Sequence, residues 1–266
     1  MYEKYWSFKE KPFENTPDPK FLYSSPQHEE GLNRMLYVVR ESKGAGLLTG
    51  VYGCGKTLLA RALMKELEIS VYKVALLTNP RLDDIEMLRM ITHHLGLAEP
   101  PVRKADVLIA LEKILQNNMN DGKKTVVVID EAHAIEDRSI FEEIRLLLNF
   151  QHADKFLLTL ILLGQPELKD IIEGNKQLNQ RIAMRYYLDN LDASETDHYI
   201  KHRLKVVGSN SDIFTQKAID LIHERSGGIP RRINQLCDSS LLTGYGKEAD
   251  IIDDEIVEET IRSLSL

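Results

Sequence analysis

The chain has 266 residues, of which 43% are hydrophobic, and its formal net charge is −7. This length allows a substantial core in one large domain or two modest ones, and the charge argues against a protein that coats nucleic acid through its overall field. The longest apolar run, 156–163, is far shorter than the ~20 residues that span a bilayer, and the charged start lacks a signal-peptide core. We therefore expect no transmembrane segment and a cytoplasmic location, with which the two cysteines, Cys54 and Cys237, are consistent.

The first 24 residues combine seven aromatic residues with three prolines and show neither helical nor strand periodicity. So many aromatic rings are unfavourable in solvent, so we expect residues 1–24 to form an extended arm that lies against the body of the protein or against a neighbour. Ser25 and Pro26 then provide an N-cap and a first-turn proline for the helix that follows.

Residues 25–191 alternate between strand and helix patterns and are expected to form an α/β domain. Short apolar runs that suit strands buried on both faces occur at 46–50, 70–77, 125–130, 156–164 and, more weakly, 183–191. Apolar stripes between them give the connecting helices a face for packing on a parallel sheet; they are formed by Leu59, Leu63 and Leu67 and by Leu88, Ile91 and Leu95.

After Leu191 the strand patterns stop, and residues 192–266 are expected to form a separate helical domain. Helical patterns cover 196–207, 215–228, 230–246 and 253–264. The basic stretch "KHRLK" at 201–205 is interpreted as a solvated helix face rather than as a binding surface, and the stretch 248–259 is strongly acidic.

The stretch "GVYGCGKT" at 50–57 fits G-x-x-x-x-G-K-[ST], the P-loop pattern, between a predicted strand and a predicted helix. Backbone N–H groups and the helix N-terminus converge there on phosphate oxygens. Lys56 can bridge the β- and γ-phosphates, and the Thr57 hydroxyl can join the coordination of Mg²⁺. Cys54 could be redox-sensitive at this place, although the simpler interpretation is a small residue that fits the loop.

Two carboxylates end the buried strand in "TVVVIDEAH". Asp130 is expected to hold Mg²⁺ directly or through water, and Glu131 to orient and deprotonate the attacking water. "DEAH" is also a helicase box, but that class needs a second motor domain, for which this chain has no room. The sequence therefore predicts an Mg²⁺-dependent ATPase.

With "GVYGCGKT", "VVVIDEAH" and "LILLGQPEL", the chain resembles an AAA+ ATPase, and the opening 37 residues and "SGGIPRRINQLCD" resemble the ExeA/GspA (general secretion pathway protein A) group. The resemblance runs over nearly the whole length. It implies a five-stranded parallel sheet in the order 5-1-4-3-2 within residues 25–191, the nucleotide-binding domain, and a helical lid at 192–266, with ATP or ADP as the ligand.

The resemblance also implies roles for residues outside the two motifs. Gln165 would be the sensor-1 group, which positions water against the γ-phosphate. Arg181, with Arg185 as the alternative, would be the arginine finger that reaches a neighbouring subunit's ATP. The sensor-2 arginine would be Arg231, with Arg232 as the alternative, and Asn79 would restrain Glu131. The implied catalytic set is Glu131, Lys56, Gln165, Arg181 and Arg231; the implied nucleotide-binding set is Gly50, Gly53, Cys54, Gly55, Lys56, Thr57, Leu58, Asp130 and Arg231.

The resemblance implies an ATP-driven assembly or regulatory factor of a secretion or envelope export system. Such a factor would self-associate into a ring or filament when ATP is bound, and would work with a membrane-bound or secretion-system partner at the inner membrane. Two alternatives stay open: an ATP-dependent DNA-binding regulator of the transposition type, and a nucleotide-bound interaction module that does not hydrolyse ATP. The chain stops at Leu266 before the membrane helix and peptidoglycan-binding domain that this group commonly carries, so it is either a short relative or a portion of a longer membrane protein.

Overall fold

The computed structural model describes residues 1–153, 155–209 and 211–264. Contacts between Cα atoms divide the chain into two units. The sheet unit comprises Gln27–Val51 and Leu59–Leu188, and the helical unit comprises Met1–Pro26, Tyr52–Leu58 and Asp189–Leu266. Residues 210, 265 and 266 of the predicted lid lie outside the described residues.

Within the described residues, the sheet unit contains one five-stranded parallel sheet and a short antiparallel hairpin. The strands are β1 Ala45–Gly50, β2 Tyr72–Leu77, β3 Lys124–Ile129, β4 Gln151–His152, β5 Lys155–Phe156, β6 Leu158–Gly164 and β7 Ile182–Leu188. The parallel sheet has the order β2-β3-β6-β1-β7, and β4 pairs with β5. If the five parallel strands are numbered 1 to 5 along the chain, β6 is the fourth and β7 the fifth. Read from β7 to β2, the order is then 5-1-4-3-2, and the predicted order is confirmed.

The central strands are fully buried, which is why their sequences are nearly continuous apolar runs. All six residues of β1 and all seven of β6 are buried, and β3 is buried after its first residue. The edge strand β7 instead alternates between buried and exposed residues, which explains its weaker pattern in the sequence.

The remaining elements of the first 188 residues are helical. The α-helices are α1 Pro26–Arg40, α2 Lys56–Glu66, α3 Asp84–His94, α4 Lys104–Asn120, α5 Ser139–Leu147, α6 Glu167–Gly174 and α7 Lys176–Asn179, and two short 3-10 helices cover Pro19–Phe21 and Ala132–Ala134. All six residues of the two predicted apolar stripes are buried, although Leu67 and Leu95 each lie one residue past the end of their helix. A capping box starts α3, because the Asp83 and Glu86 side chains each accept from the other's backbone N–H.

The helical unit contains α8 Ala193–Val206, α9 Gln216–Ser226, α10 Pro230–Gly246 and α11 Asp254–Leu264. Local capping residues set the ends of these helices. Asp192 and Glu195 form a capping box at the start of α8, and Gly227 ends α9 in the left-handed region with φ of 62°. The next glycine, Gly228, has φ of +70°, and a Cβ there would lie 1.9 Å from the Leu191 carbonyl oxygen. Only glycine fits this position.

Residues 1–26 pack on these helices through buried aromatic side chains, namely Tyr2, Trp6, Phe8, Phe13 and Phe21. The Trp6 indole donates to the Leu241 carbonyl at 3.1 Å. Arg203 of α8 is only 3% exposed; it donates to the Pro12 and Glu14 carbonyls and lies 4.5 Å from the centre of the Phe21 ring. The interpretation of "KHRLK" as a solvated face is therefore wrong for this arginine, which anchors the arm instead.

In the described ranges, no helix combines the length and the apolar character that crossing a membrane requires.

Candidate active site

The loop at 50–57 joins β1 to α2: Gly50 is the last residue of β1, and α2 begins at Lys56. Gly53 and Gly55 have φ values of 86° and 108°, which residues with a Cβ rarely adopt. The chain thus turns through glycine conformations directly before a helix N-terminus. This is the backbone geometry in which N–H groups point at an anion.

Arg231 packs directly on this loop within the helical unit. Its backbone N–H donates to the Gly53 carbonyl at 3.2 Å, and a Cβ on Gly53 would lie 2.8 Å from the Arg231 Cβ. The Arg231 guanidinium donates to the Tyr52 hydroxyl and lies 4.4 Å from the centre of that ring. The structure therefore brings the predicted sensor-2 residue to the P-loop. The alternative, Arg232, follows one position further along α10, and both arginines are exposed.

Cys54 and Lys56 are buried inside the same loop. The Lys56 side chain is directed towards the Cys54 sulfur, with Nζ 3.9 Å from Sγ. Burial raises the pKa of the Cys54 thiol, although the nearby Lys56 charge lowers it in part. Because the thiolate is the reactive form, this environment favours the interpretation of Cys54 as a small packing residue over a redox role. Thr57 and Leu58 are partly buried in the first turn of α2.

Asp130 and Glu131 follow the last residue of β3 in the sheet unit. In the register of the sheet, Ile129 of β3 pairs with Leu162 of β6, and Gly164 of β6 pairs with Thr49 of β1. The carboxyl ends of these three strands therefore lie along one edge. Asp130 is only 2% exposed, and its backbone N–H extends the ladder by donating to the Leu77 carbonyl at 2.8 Å.

Glu131 adopts a left-handed backbone conformation, with φ of 53°, where the chain leaves β3 and enters the short 3-10 helix Ala132–Ala134. Its carboxylate contacts His133, with 3.4 Å between Glu131 Oε2 and His133 Nε2. The other ring nitrogen of His133 accepts from the Gln165 backbone N–H at 3.3 Å. The structure thus brings together the predicted water-activating and sensor-1 residues through a third residue.

His133 was not among the predicted site residues. The sequence contained a hint, because His133 is the last residue of the "DEAH" stretch. Its contact with Gln165, however, exists only because the ends of β3 and β6 lie side by side in the sheet. Asn79, predicted to restrain Glu131, instead accepts from the Arg81 backbone N–H at 3.4 Å.

The two arginine-finger alternatives differ in position. Arg181 immediately precedes β7, whose first residue pairs with Ala45 at the start of β1, so Arg181 lies at the amino edge of the sheet. Its guanidinium is 5.7 Å from the Phe156 ring centre and donates to Asn149 at 3.4 Å. Arg185 lies within β7 and donates to the Asn179 carbonyl at 3.0 Å.

A family profile described as AAA domain matches residues 39–172. General secretion pathway protein A of Aeromonas hydrophila is 36% identical over 252 residues, which cover 93% of this chain and 45% of that protein. The chain therefore spans less than half the length of this curated relative.

Solved structures with the same fold include two Aeropyrum pernix proteins. ORC2, solved in ADPNP–ADP complexes, superposes with a TM-score of 0.68 at 17% identity over 89% of this chain and 67% of ORC2. ORC1, solved in complex with DNA, superposes with a TM-score of 0.71 at 15% identity over 92% of this chain and 67% of ORC1. At these identities the likeness shows the fold alone.

The family match includes the predicted P-loop at 50–57, the predicted acidic pair at 130–131 and Gln165, and the likeness to the secretion protein covers 93% of the chain. The chain belongs to the AAA domain family, and within it to the AAA+ ATPases of the ExeA/GspA group.

Proposed function

We propose that the chain binds ATP with Mg²⁺ and hydrolyses it to ADP and phosphate. The observation that carries this proposal is the arrangement of strand ends in the sheet unit. The carboxyl end of β1 runs into the glycine loop, the end of β3 runs into Asp130 and Glu131, and β6 lies between the two strands and ends before Gln165. Ligands of open parallel sheets bind outside the carboxyl ends of the strands.

In this proposal the residues that meet phosphate are Gly50, Gly53, Cys54, Gly55, Lys56, Thr57 and Leu58, with Arg231 from α10. The backbone of the loop binds β-phosphate oxygens, and Lys56 bridges the β- and γ-phosphates. The Arg231 guanidinium keeps N–H donors beyond the one given to Tyr52, since the group carries five. These donors suit the γ-phosphate, which is the group that distinguishes ATP from ADP.

Oxygen donors of the kind that Mg²⁺ prefers are present in the Thr57 hydroxyl and the Asp130 carboxylate. In the described part of the chain, no group of three or more His, Cys, Asp or Glu side chains is placed to hold a metal. Mg²⁺ is commonly bound by one or two protein oxygens together with substrate phosphates and water. The ion would neutralise charge on the β- and γ-phosphate oxygens.

Glu131 is the proposed general base. Asp130 and Glu131 are adjacent carboxylates directly after β3, so one can serve the metal while the other serves water. Gln165 is the proposed group that orients the water against the γ-phosphate. Arg181 is the proposed finger for a neighbouring copy, because it lies at the edge opposite Asp130.

The test is phosphate release from the Glu131→Gln variant. We expect the rate to fall by roughly 10²-fold or more, since a general base contributes 10²–10⁴-fold, while ATP affinity is retained. Glu136→Gln is the matched control, because Glu136 is an exposed carboxylate five positions along the same segment. Phosphate release that is negligible in the unsubstituted chain and unaltered by Glu131→Gln would leave a nucleotide-bound interaction module instead of an enzyme.

For the biological role, we propose an ATP-driven assembly factor of an export system, with a membrane-bound or secretion-system protein as its partner. The support is the 36% identity to General secretion pathway protein A. The chain would work from the cytoplasmic side and form head-to-tail rings or filaments with ATP, as a trans-acting arginine requires. Sedimentation with and without ATP and Mg²⁺ tests the self-association.

The alternative is an ATP-dependent DNA-binding regulator, for which the support is the fold shared with an ORC1 protein solved in complex with DNA. The same sedimentation experiment, repeated with duplex DNA at two salt concentrations, separates the two roles. Large particles that form only with DNA and dissociate steeply with salt would support the regulator. Particles that form with ATP alone would support the assembly factor.

A further inference from the structure

One imidazole lies between the two residues proposed to handle the attacking water. His133 Nδ1 accepts from the Gln165 backbone N–H at 3.3 Å, and His133 Nε2 is 3.4 Å from Glu131 Oε2. A neutral imidazole has one donor nitrogen and one acceptor nitrogen. A backbone N–H that donates to Nδ1 requires an unprotonated Nδ1, so a neutral His133 ring carries its proton on Nε2, the nitrogen that lies 3.4 Å from Glu131 Oε2.

The ring is held firmly in this orientation. His133 lies in the short 3-10 helix Ala132–Ala134, and its side chain is only 16% exposed. The Ala134 N–H donates to the Glu131 carbonyl at 2.8 Å, and this hydrogen bond closes the backbone turn that contains His133. A Cβ at Gly164 would lie 3.3 Å from the His133 backbone nitrogen, so β6 also passes close to this turn.

We propose that His133 is a positioning residue for Glu131. Its Nε2–H binds one carboxylate oxygen, Oε2, and thereby leaves the other oxygen, Oε1, to take the proton of the attacking water. Its Nδ1 ties this orientation to the Gln165 backbone, so the proposed base and the proposed water-orienting group move as one unit. The inference rests on the proposed hydrolytic function and adds the residue that sets the geometry of its base.

Three substitutions separate the two ring contacts. His133→Ala removes both. His133→Asn places an amide oxygen near Nδ1, so it can accept from Gln165 but cannot reach Glu131. His133→Gln extends an amide N–H to the position of Nε2, so it can donate to Glu131. His94→Ala is the control, because His94 is exposed on α3.

We expect kcat for ATP hydrolysis to fall roughly 10- to 100-fold in His133→Ala and His133→Asn, because misplacing a reacting group by about 1 Å costs up to 10²-fold. His133→Gln should retain kcat to within about threefold, and KM should change by less than about twofold in all three, as for an interaction made only in the transition state. Unchanged or increased kcat in His133→Ala would overturn the proposal, as would equal losses in His133→Gln and His133→Asn. If the unsubstituted chain does not hydrolyse ATP, the proposed function fails first, and its failure is visible without any variant.

A second measurement does not depend on turnover. In protein labelled with ¹⁵N-histidine, the resonance pair that disappears in His133→Gln belongs to His133. We expect it to show a protonated Nε2 and an unprotonated Nδ1, and the Nε2 resonance to shift in Glu131→Gln but not in Glu136→Gln. A proton on Nδ1, or a spectrum that is indifferent to Glu131→Gln, would overturn the inference even in an active enzyme.

Discussion

The guanidinium of Arg231 stacks on the ring of Tyr52, 4.4 Å from its centre, and donates a hydrogen bond to its hydroxyl. Cation–π stacking and a hydrogen bond together fix the plane of the guanidinium. A tyrosine at the third position of the P-loop therefore orients an arginine that belongs to α10. The remaining N–H donors of that arginine are then presented in a defined direction.

Removing this arginine should weaken ATP binding more than ADP binding. In Arg231→Ala, we expect the Kd for ATP to rise roughly 10- to 100-fold, because a hydrogen bond to a charged group contributes about 1.5–3 kcal/mol. Titration calorimetry with ATP and ADP measures the two affinities. Arg232→Ala is the neighbouring control and should bind both nucleotides as the unsubstituted chain does; equal losses for ATP and ADP in Arg231→Ala would contradict a γ-phosphate contact.

Arg181 should act on a different copy of the chain from the one that contains it. It lies before β7, which has seven residues and, at about 3.3 Å per residue, spans about 20 Å between the two edges of the sheet. We therefore expect Arg181→Ala to keep its ATP affinity but to lose roughly tenfold or more in phosphate release at concentrations where the chain assembles.

Mixing two inactive variants tests this arrangement. Arg181→Ala subunits retain Glu131, and Glu131→Gln subunits retain Arg181, so mixed assemblies contain some complete sites. Phosphate release in the mixture should exceed the sum of the separate rates, whereas Arg185→Ala alone should remain active. A mixture that is no faster than its components would assign Arg181 to a structural role at the amino edge.

Arg203 should be a major determinant of stability. Its guanidinium is buried and donates to the Pro12 and Glu14 carbonyls and to the Tyr199 hydroxyl. In Arg203→Ala, we expect the free energy of unfolding to fall by about 2–4 kcal/mol, because buried acceptors lose charged donors. Lys201→Ala, on the exposed face of the same helix, should change it by less than about 1 kcal/mol. Urea denaturation measures both, and equal effects would contradict the anchoring role.

Cys54 should react slowly with thiol reagents. Burial raises the pKa of its thiol, so at pH 7–8 the thiolate fraction is smaller than in an unfolded chain, and it grows as the pH increases. In a Cys237→Ala background, we expect alkylation to be at least about tenfold slower than in denaturant. Fast labelling of the folded protein at pH 7 would instead support a redox-sensitive loop.

The strands could be predicted because each central strand is buried on both faces and so appears as an apolar run between glycine or charged boundaries. Their order in the sheet was implied by the family resemblance, because apolar runs alone do not show which strands are neighbours. The P-loop and the acidic pair could be found because their chemistry depends on residue types at a fixed local spacing. His133 and Tyr52 could not be assigned in this way. His133 contacts Gln165, and Tyr52 contacts Arg231. Both contacts join distant parts of the chain, so they depend on tertiary packing rather than on spacing in the sequence. Arg203 was missed for a related reason, because the sequence cannot show which of several cations on a helix faces an aromatic cluster.

The buried arm has a consequence for biosynthesis. The Tyr2 hydroxyl donates to Asp238, a partner 236 residues away, and the Trp6 indole bonds to a carbonyl 235 residues away. Contacts of such sequence separation form late, because a long loop must close first. During translation, the aromatic side chains of the arm are therefore synthesised before α10 and cannot form these contacts until α10 has been made. Apolar surface that is exposed in this way during folding favours aggregation.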